Sequence, residues 1–344
     1  MNIAIASVQA PFVSGGAEYL AQGLLNALRS SGYRSEIITA PFHFGPPEKV
    51  TQSIRYWENQ NFTYFDSNKV DLVICLKFPT YLLNHDNKVL WLLHQHRSVY
   101  DLWDLNEKRG HKFSWKEKIN KYSICRRDDK YISQIKRRFT IAGNVSKRLM
   151  KYNRIQSSPL YHPPFFKPSP GPYEPFIFCP SRLEPLKRQS LLLDALSISK
   201  SSIRAVFAGT GSQVEHLKQK AVQLGLNQRV VWLGEISDES MLHHYKNCLA
   251  VFFGPLDEDY GYVTLEAMQA AKAVITCTDS GGPLEFVDDQ ETGFIVPPIA
   301  EPIAETIDHL SSDNNLAQKI GRFALEKYNS LDLSWSRVVE TLVG

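Results

Sequence analysis

Two doubly wound α/β domains are the architecture this sequence predicts, and three observations predict it. Short apolar runs alternate with amphipathic stretches along the chain, as expected of parallel strands joined by helices. Six prolines, at 163, 164, 168, 170, 172 and 175, interrupt that alternation together with Gly171. Proline at this density disfavours helix and interior strand, so an interdomain linker is expected over 162–175. A length of 344 residues suits two domains. The expected division is 1–165 and 166–322, with the remaining residues treated below.

The elements follow in order. Residues 3–6 read as a buried strand, Ser14 to Ala17 as a small-residue turn, and 18–30 as a helix with Leu20, Leu24, Leu25 and Leu28 on one face. Gly32 ends that helix and 36–39 form the next strand, completing a βαβ unit. Strands are expected at 70–75, 88–93, 138–142 and 158–161, with a helix at 145–152. Beyond the prolines the alternation resumes with strands at 175–179, 203–208, 230–233, 249–253, 273–276 and 292–296. Helices are expected at 190–196, 214–224, 240–247 and from about Val263. Two such domains bind ligands at the carboxyl ends of their strands, in a cleft between their switch points.

Composition excludes several classes. At 43% hydrophobic and 22% charged the chain reads as a soluble globular protein. A net charge of +3 gives no argument for nucleic acid. Cys75, Cys125, Cys179, Cys248 and Cys277 are scattered, odd in number and without CxxC spacing, so neither a zinc site nor a disulfide framework is expected and a reducing, cytoplasmic setting is. The N-terminal apolar run lacks a basic flank and reads as a strand, and no 18-residue apolar segment is present. Charge is nonetheless uneven. Residues 108–151 hold 15 Lys and Arg against 3 acidic residues, a net of +12, interleaved with Trp115, Tyr122, Tyr131 and Phe139. This is either a solvated helix face or a patch for an anionic partner such as a membrane surface or a phosphorylated acceptor.

Several groups of residues carry candidate chemistry. Gly15-Gly16 and Gly209-Thr210-Gly211 each sit between a strand and a helix, where glycine lets backbone approach a ligand or simply makes a tight turn. The second is no dinucleotide fingerprint, because Val214 occupies its third glycine position. Arg182 and Lys187, five apart after a strand, could converge on a diphosphate or be two surface cations. His94 and His96 also follow a strand; one of them as an active-site polar group is favoured over a metal pair, for want of a third ligand. His111, His162, His243 and His244 read as structural or exposed, the last two on a helix surface. Asp257-Glu258-Asp259 has D-x-D spacing, which could hold a hard cation. Glu266 is either a helix-entry acid or an acceptor for ligand hydroxyls. Asp279 to Glu285 contains another glycine turn after a strand.

In family order, Arg182-Leu183 with Lys187, Gly209-Thr210-Gly211, Val231-Trp232-Leu233-Gly234, Glu258 and Glu266 with seven residues between them, Gly281-Gly282-Pro283-Leu284-Glu285 and Thr292-Gly293-Phe294-Ile295-Val296 resemble the family 4 (group 1) retaining glycosyltransferases of GT-B fold. Gly15 to Glu18 and His94 extend the resemblance into the first half. It implies a hexosyltransferase that takes a nucleotide-diphosphate sugar and a glycan, lipid-linked or small-molecule acceptor, with no metal and no cofactor. Alternatives are a GT-B nucleotide-sugar epimerase and a catalytically silent sugar-nucleotide-binding subunit.

By the resemblance Arg182 and Lys187 would neutralise the departing diphosphate, and Glu266 would accept from the ribose. Glu258, with Asp259, Tyr260 and Gly261, would face the transferred sugar, and Tyr262 and Val263 would complete the donor loop. Gly15 and Gly16 would approach the phosphates with Gly209 and Gly211, Val231 and Trp232 would lie near the base, and His94 near the anomeric carbon. Ser181, Arg188 and Tyr260 depart from the family's usual glycine, glycine and phenylalanine. A C-terminal helix over about 323–344, with Trp335, would pack back on the first domain. The cytoplasm, or the inner face of the membrane through 108–151, is the expected location.

Overall fold

The computed structural model describes residues 1–12 and 15–344 and divides into two compact units, Met1–Pro163 with Leu333–Gly344, and Pro164–Asp332. The expected turn residue Ser14 lies outside the described residues.

The first unit runs β1 (Asn2–Gln9), α1 (Gly16–Ser30), β2 (Arg34–Pro41), α2 (Pro47–Glu58), a small hairpin of β3 (Tyr64–Phe65) and β4 (Asn68–Lys69), then β5 (Leu72–Cys75) and β6 (Lys88–Leu92). After these come α3 (Asp101–Lys108), α4 (Trp115–Gln134), β7 (Arg137–Thr140), α5 (Gly143–Asn153) and β8 (Ser158–Pro159). Its sheet has the order β2-β1-β5-β6-β7-β8, with every neighbouring pair parallel. The interior strands β5 and β6 read as near-continuous apolar runs because helices cover both faces of the sheet. α1 buries Leu20, Leu24, Leu25 and Leu28, the stripe its sequence spacing predicts.

The second unit runs β9 (Phe176–Pro180), α6 (Ser190–Ile198), β10 (Arg204–Ala208), α7 (Val214–Gln223), β11 (Val230–Gly234), α8 (Asp238–Asn247) and β12 (Ala250–Phe252). It continues with α9 (Tyr262–Gln269), β13 (Ala273–Cys277), β14 (Gly293–Val296), α10 (Ala300–Ser312) and α11 (Asn314–Ser330). Its sheet order, β11-β10-β9-β12-β13-β14, is also all parallel and reverses direction between β9 and β12. In the first unit the reversal lies between β1 and β5. These are the switch points at which open α/β sheets bind ligands.

The expected single helix over 323–344 is corrected. Position 323 falls inside α11, which buries Ala317, Ile320, Gly321 and Ala324 in the second unit. A separate helix, α12 (Trp335–Val343), belongs to the first unit. Ser334 caps it by accepting the N–H of Arg337. Trp335 lies against α1 at Gly23, where a Cβ would come within 2.3 Å of the indole, so only glycine admits that approach. Trp335 also meets Trp91 edge to face with ring centres 6.3 Å apart.

The proline-rich stretch is likewise not a free tether throughout. Lys272, fully buried, donates to the carbonyls of Gly171 and Pro172 at 3.1 and 2.6 Å, and its ammonium sits 3.5 Å from the centre of the Tyr173 ring. Residues 171–173 are thereby pinned to the second unit, a role that the density of prolines alone does not convey.

Candidate active site

The switch point of the second unit places two segments together. β9 ends at Pro180 and leads through Arg182 into a short turn, Pro185–Lys187. β12 ends at Phe252 and leads to Glu258. The Lys187 ammonium donates to Glu258 Oε2 at 2.5 Å, and both side chains are about four-fifths enclosed, at 17% and 22% exposure. Lys187 also lies 5.3 Å from the centre of the Phe253 ring. Arg182 is exposed and bonds to no described residue through its side chain. One cation of the expected pair is therefore committed to a carboxylate and the other is open.

Arg188, next to Lys187, has a part that its departure from the family's usual glycine does not reveal. Its backbone is left-handed, with φ of 51°. Glycine takes that conformation without strain, whereas an L side chain costs roughly 1–2 kcal/mol. Arg188 adopts it and uses its guanidinium as a staple. Nη1 and Nη2 donate to the two carboxylate oxygens of Asp279 at 2.8 and 2.6 Å, and Nε and Nη2 donate to the carbonyls of Gly254 and Pro255. The loops after β12 and β13 are thus joined through one side chain. Backbone bonds complete the seam: Asp257 N–H donates to Asp279 O, Glu258 N–H to Ser280 O, and Gly282 N–H to Glu258 O.

That seam changes the reading of the D-x-D stretch. Glu258 is turned onto Lys187, and Asp257 is a left-handed corner with φ of 46°. Among the described residues no three of His, Cys, Asp and Glu come together as metal ligands.

Glu266 sits in the second turn of α9, 5% exposed. It accepts from the Tyr245 hydroxyl at 2.6 Å and from the Phe166 backbone N–H. Burial raises its carboxyl to about 7, against which those two bonds favour the charged form. Tyr245 gives no motif, because a buried tyrosine on a helix reads as core. Tyr260 is buried and Gly261 precedes the first turn of α9, in which Tyr262 and Val263 are half-buried.

Gly209 and Gly211 cross the turn after β10 with φ of 128° and 157°, and a Cβ on either would lie 2.1 or 2.3 Å from the carbonyl oxygen of Ser181 or Leu183. The turn therefore packs against the segment leading to Arg182. Trp232 stacks on Phe207 with ring centres 4.5 Å apart, and Val231 is 37% exposed.

In the first unit, Gly15 and Gly16 open α1 after β1. His94 follows β6, half-buried, with Nδ1 2.7 Å from the Gln95 carbonyl. His96 is buried and stacks on Phe78 with ring centres 5.0 Å apart, and burial lowers its pKa to about 4. Of the two, His94 is the more exposed. His244 is not a surface residue of α8: it stacks on Phe178 and its Nδ1 lies 2.7 Å from Ser240 O. Lys77, which the sequence did not single out, sits beside the glycine turn and pairs with Glu18 at 3.4 Å.

Residues 165–327 match the family model described as glycosyl transferases group 1. The alpha-1,3/1,6-mannosyltransferase ALG2 of Dictyostelium discoideum is 33% identical over 174 residues, covering 45% of this chain and 41% of that protein, so the chain spans about two-fifths of that relative. Among solved structures, sucrose-phosphate synthase from Thermosynechococcus elongatus superimposes with a TM-score of 0.80 at 16% identity, covering 99% of this chain and 97% of that one. Anabaena Alr3699/HepE in complex with UDP-glucose gives 0.72 at 18% identity over 100% and 98%. Residues 165–327 thus belong to the group 1 glycosyl transferases, and the chain that carries them has the GT-B fold.

Proposed function

We propose that the chain is a retaining, metal-independent hexosyltransferase of family 4, which moves a sugar from a nucleotide diphosphate to a glycan, lipid-linked or small-molecule acceptor. The single observation that carries the reading is the Lys187–Glu258 pair at the switch point of the unit matched by the family. That the Anabaena protein was solved with UDP-glucose, and that the Dictyostelium relative is a mannosyltransferase, supports a hexosyl donor here.

In this reading Glu258 holds the Lys187 ammonium ready while the donor is away. The incoming diphosphate then takes its share of that charge, with exposed Arg182 supplying a fork for phosphate oxygens. As the bond from anomeric carbon to phosphate oxygen breaks, negative charge grows where the two cations stand, and stabilising it is commonly the largest catalytic contribution. The acceptor oxygen bonds to the anomeric carbon on the face that the diphosphate leaves, and the departing phosphate takes the acceptor's proton. Glu258 and Glu266 are not a glycosidase-like pair in this scheme, in which Glu258 holds Lys187 and Glu266 is a hydrogen-bond acceptor, as it already is for the Tyr245 hydroxyl. Its part is to receive the ribose hydroxyls. Gly15, Gly16 and His94 are assigned to donor phosphates and sugar by resemblance alone.

A lipid-linked acceptor, one of the three classes, would bring residues 108–151 against an anionic leaflet on the cytoplasmic side. What supports this is α4, which exposes Trp115, Ile119 and Tyr122 at helical spacing amid its lysines and arginines. No helix of the described residues is long and apolar enough to cross a membrane.

The test is a transfer assay over a panel of nucleotide sugars and acceptors, with EDTA present. Transfer with retained anomeric configuration is expected. Isomerised donor in the absence of acceptor, or donor binding without turnover, would replace this reading. Sedimentation with anionic vesicles at rising salt checks the membrane part, which fails if binding ignores both lipid charge and salt.

A further inference from the structure

A groove of about 930 Å³ lies in the first unit, between the start of β7, the last turn of α5 and the start of β8. Its rim carries six cations, Lys136, Arg137, Arg138, Lys147, Lys151 and Arg154, and no Asp or Glu is among its described lining residues. The strands of this sheet are parallel, so the groove occupies the edge where they begin. The glycine turn and His94 follow strand ends and lie at the opposite edge.

The cations fall into two sets. Arg137 and Arg138 are fixed by backbone: Arg137 Nη2 donates to Thr341 O at 2.7 Å, and Arg138 donates to Ile135 O and Gln156 O at 2.6 and 3.0 Å. Lys136, Lys147 and Arg154 are exposed and make no ion pair among the described residues. Among the described residues the carboxylate that pairs with one of these cations is Asp104, 3.8 Å from Lys151, in a pair largely open to solvent. Lys151 and Arg154 have a local reason to be there, since cations favour the carboxyl end of α5. Lys136, just past the carboxyl end of α4, shares that reason, whereas Lys147 lies inside α5, where it does not reach. Holding six like charges round one concavity with a single solvent-open carboxylate beside them is unfavourable, and a polyvalent anion relieves it. Ser146 and Ser157 also line the groove with their hydroxyls 3.0 Å apart; Ser146 is engaged with Thr140, which leaves the Ser157 hydroxyl to donate to a phosphate oxygen.

We propose that this groove binds a phosphate-bearing anion, either a soluble polyphosphate compound or a phospholipid headgroup, at a site separate from the sugar-nucleotide site. The lipid arm rests on the membrane reading of residues 108–151 given above, whereas the soluble-anion arm does not.

Lysine-modification footprinting by mass spectrometry on the whole chain tests it, residue by residue. Inorganic tripolyphosphate forms one arm and phosphatidylglycerol vesicles the other. Tripolyphosphate is expected to slow modification of Lys136 and Lys147 several-fold while leaving Lys49 and Lys200, exposed and outside residues 108–151, unchanged. The same pattern with vesicles alone assigns the site to a lipid headgroup. Lys147→Glu/Arg154→Glu, both exposed positions, should abolish protection of Lys136 in either arm. Protection at Lys187 is a separate readout, so failure of the donor site does not disguise failure of the groove. Uniform protection of all exposed lysines, no protection of Lys136 and Lys147 in either arm, or persistence of Lys136 protection in the double variant would overturn the proposal.

Discussion

The two switch points of this chain solve the same topological problem with different chemistry. Each brings a lysine from one flanking segment to a glutamate from the other. In the second unit Lys187, after β9, meets Glu258, after β12, at 2.5 Å. In the first unit Lys77, after β5, meets Glu18, in the first turn of α1, at 3.4 Å. The Lys77 side chain is 9% exposed, and burial lowers its pKa below the usual lysine range despite Glu18. Lys187 has the tighter partner, an open Arg182 in the same segment, and the Arg188 staple behind it. The lesson is that a switch point by itself is only a place. What distinguishes the second is fixed loops around an available cation.

The buried carboxyls make a matching pair. Glu266 in the second unit is held by Tyr245 and the Phe166 N–H. Asp128 in the first, on α4, accepts from Tyr81 at 2.6 Å and Tyr100 at 2.7 Å and is fully buried. Burial raises both to about 7.

The largest expected effect separates the two switch points. Lys187→Ala should lower kcat/KM about 10²–10³-fold, as loss of one preorganised charge contact does, with the melting temperature little changed. Lys77→Met should cost far less activity. Equal losses in both would break the contrast drawn above.

Next in size is a pH effect shared by the two carboxyls. A group whose folded pKa is raised binds its proton more tightly in the folded state. Its stabilising contribution is present below the unfolded value and is lost as pH rises toward about 7. Asp128→Asn and Glu266→Gln should each flatten the fall in stability between acid and neutral pH, by roughly 1–3 kcal/mol. Urea melts across that range read this directly, and an unchanged pH slope in both variants would refute it. Only Glu266→Gln should also weaken donor binding, which tells a ligand-facing carboxyl from a purely structural one.

Arg188 tests the staple. Arg188→Ala should destabilise by about 2–3 kcal/mol, since it removes charged hydrogen bonds and keeps the left-handed strain. Arg188→Gly should lose about 1 kcal/mol less, because glycine relieves that strain. If alanine and glycine are equal in denaturant titrations, the left-handed backbone is not what costs energy there. The smallest effect is expected from Glu18→Gln, about 1 kcal/mol or less for a pair that is partly open to solvent.

How much could be read beforehand varies along the chain in a way that has a cause. The interior strands of both sheets are legible because two-sided burial forces runs such as Leu72–Cys75 and Phe176–Pro180. α4 is not, since among its twenty residues only Ile124, Asp128 and Ile132 are buried, too few to print a helical stripe. The same sparse burial leaves Trp115, Ile119 and Tyr122 exposed on it. At the candidate site, Lys187, Glu258 and Glu266 stood out by spacing, whereas Arg188, Asp279 and Tyr245 did not, because each matters through a partner distant in sequence.

The sequence alone determined the alternation of strands and helices and the break near its prolines. It also determined the order in which charged and glycine residues recur in the second half, because those are properties of neighbours a few residues apart. Tertiary structure decided the rest. Lys187 and Glu258 are 71 positions apart, and Arg188 and Asp279 are 91 apart. Such pairs meet only once the order of parallel strands is set. The same holds for α12, which leaves α11 behind and returns to Gly23 on α1, where the missing Cβ makes room for Trp335.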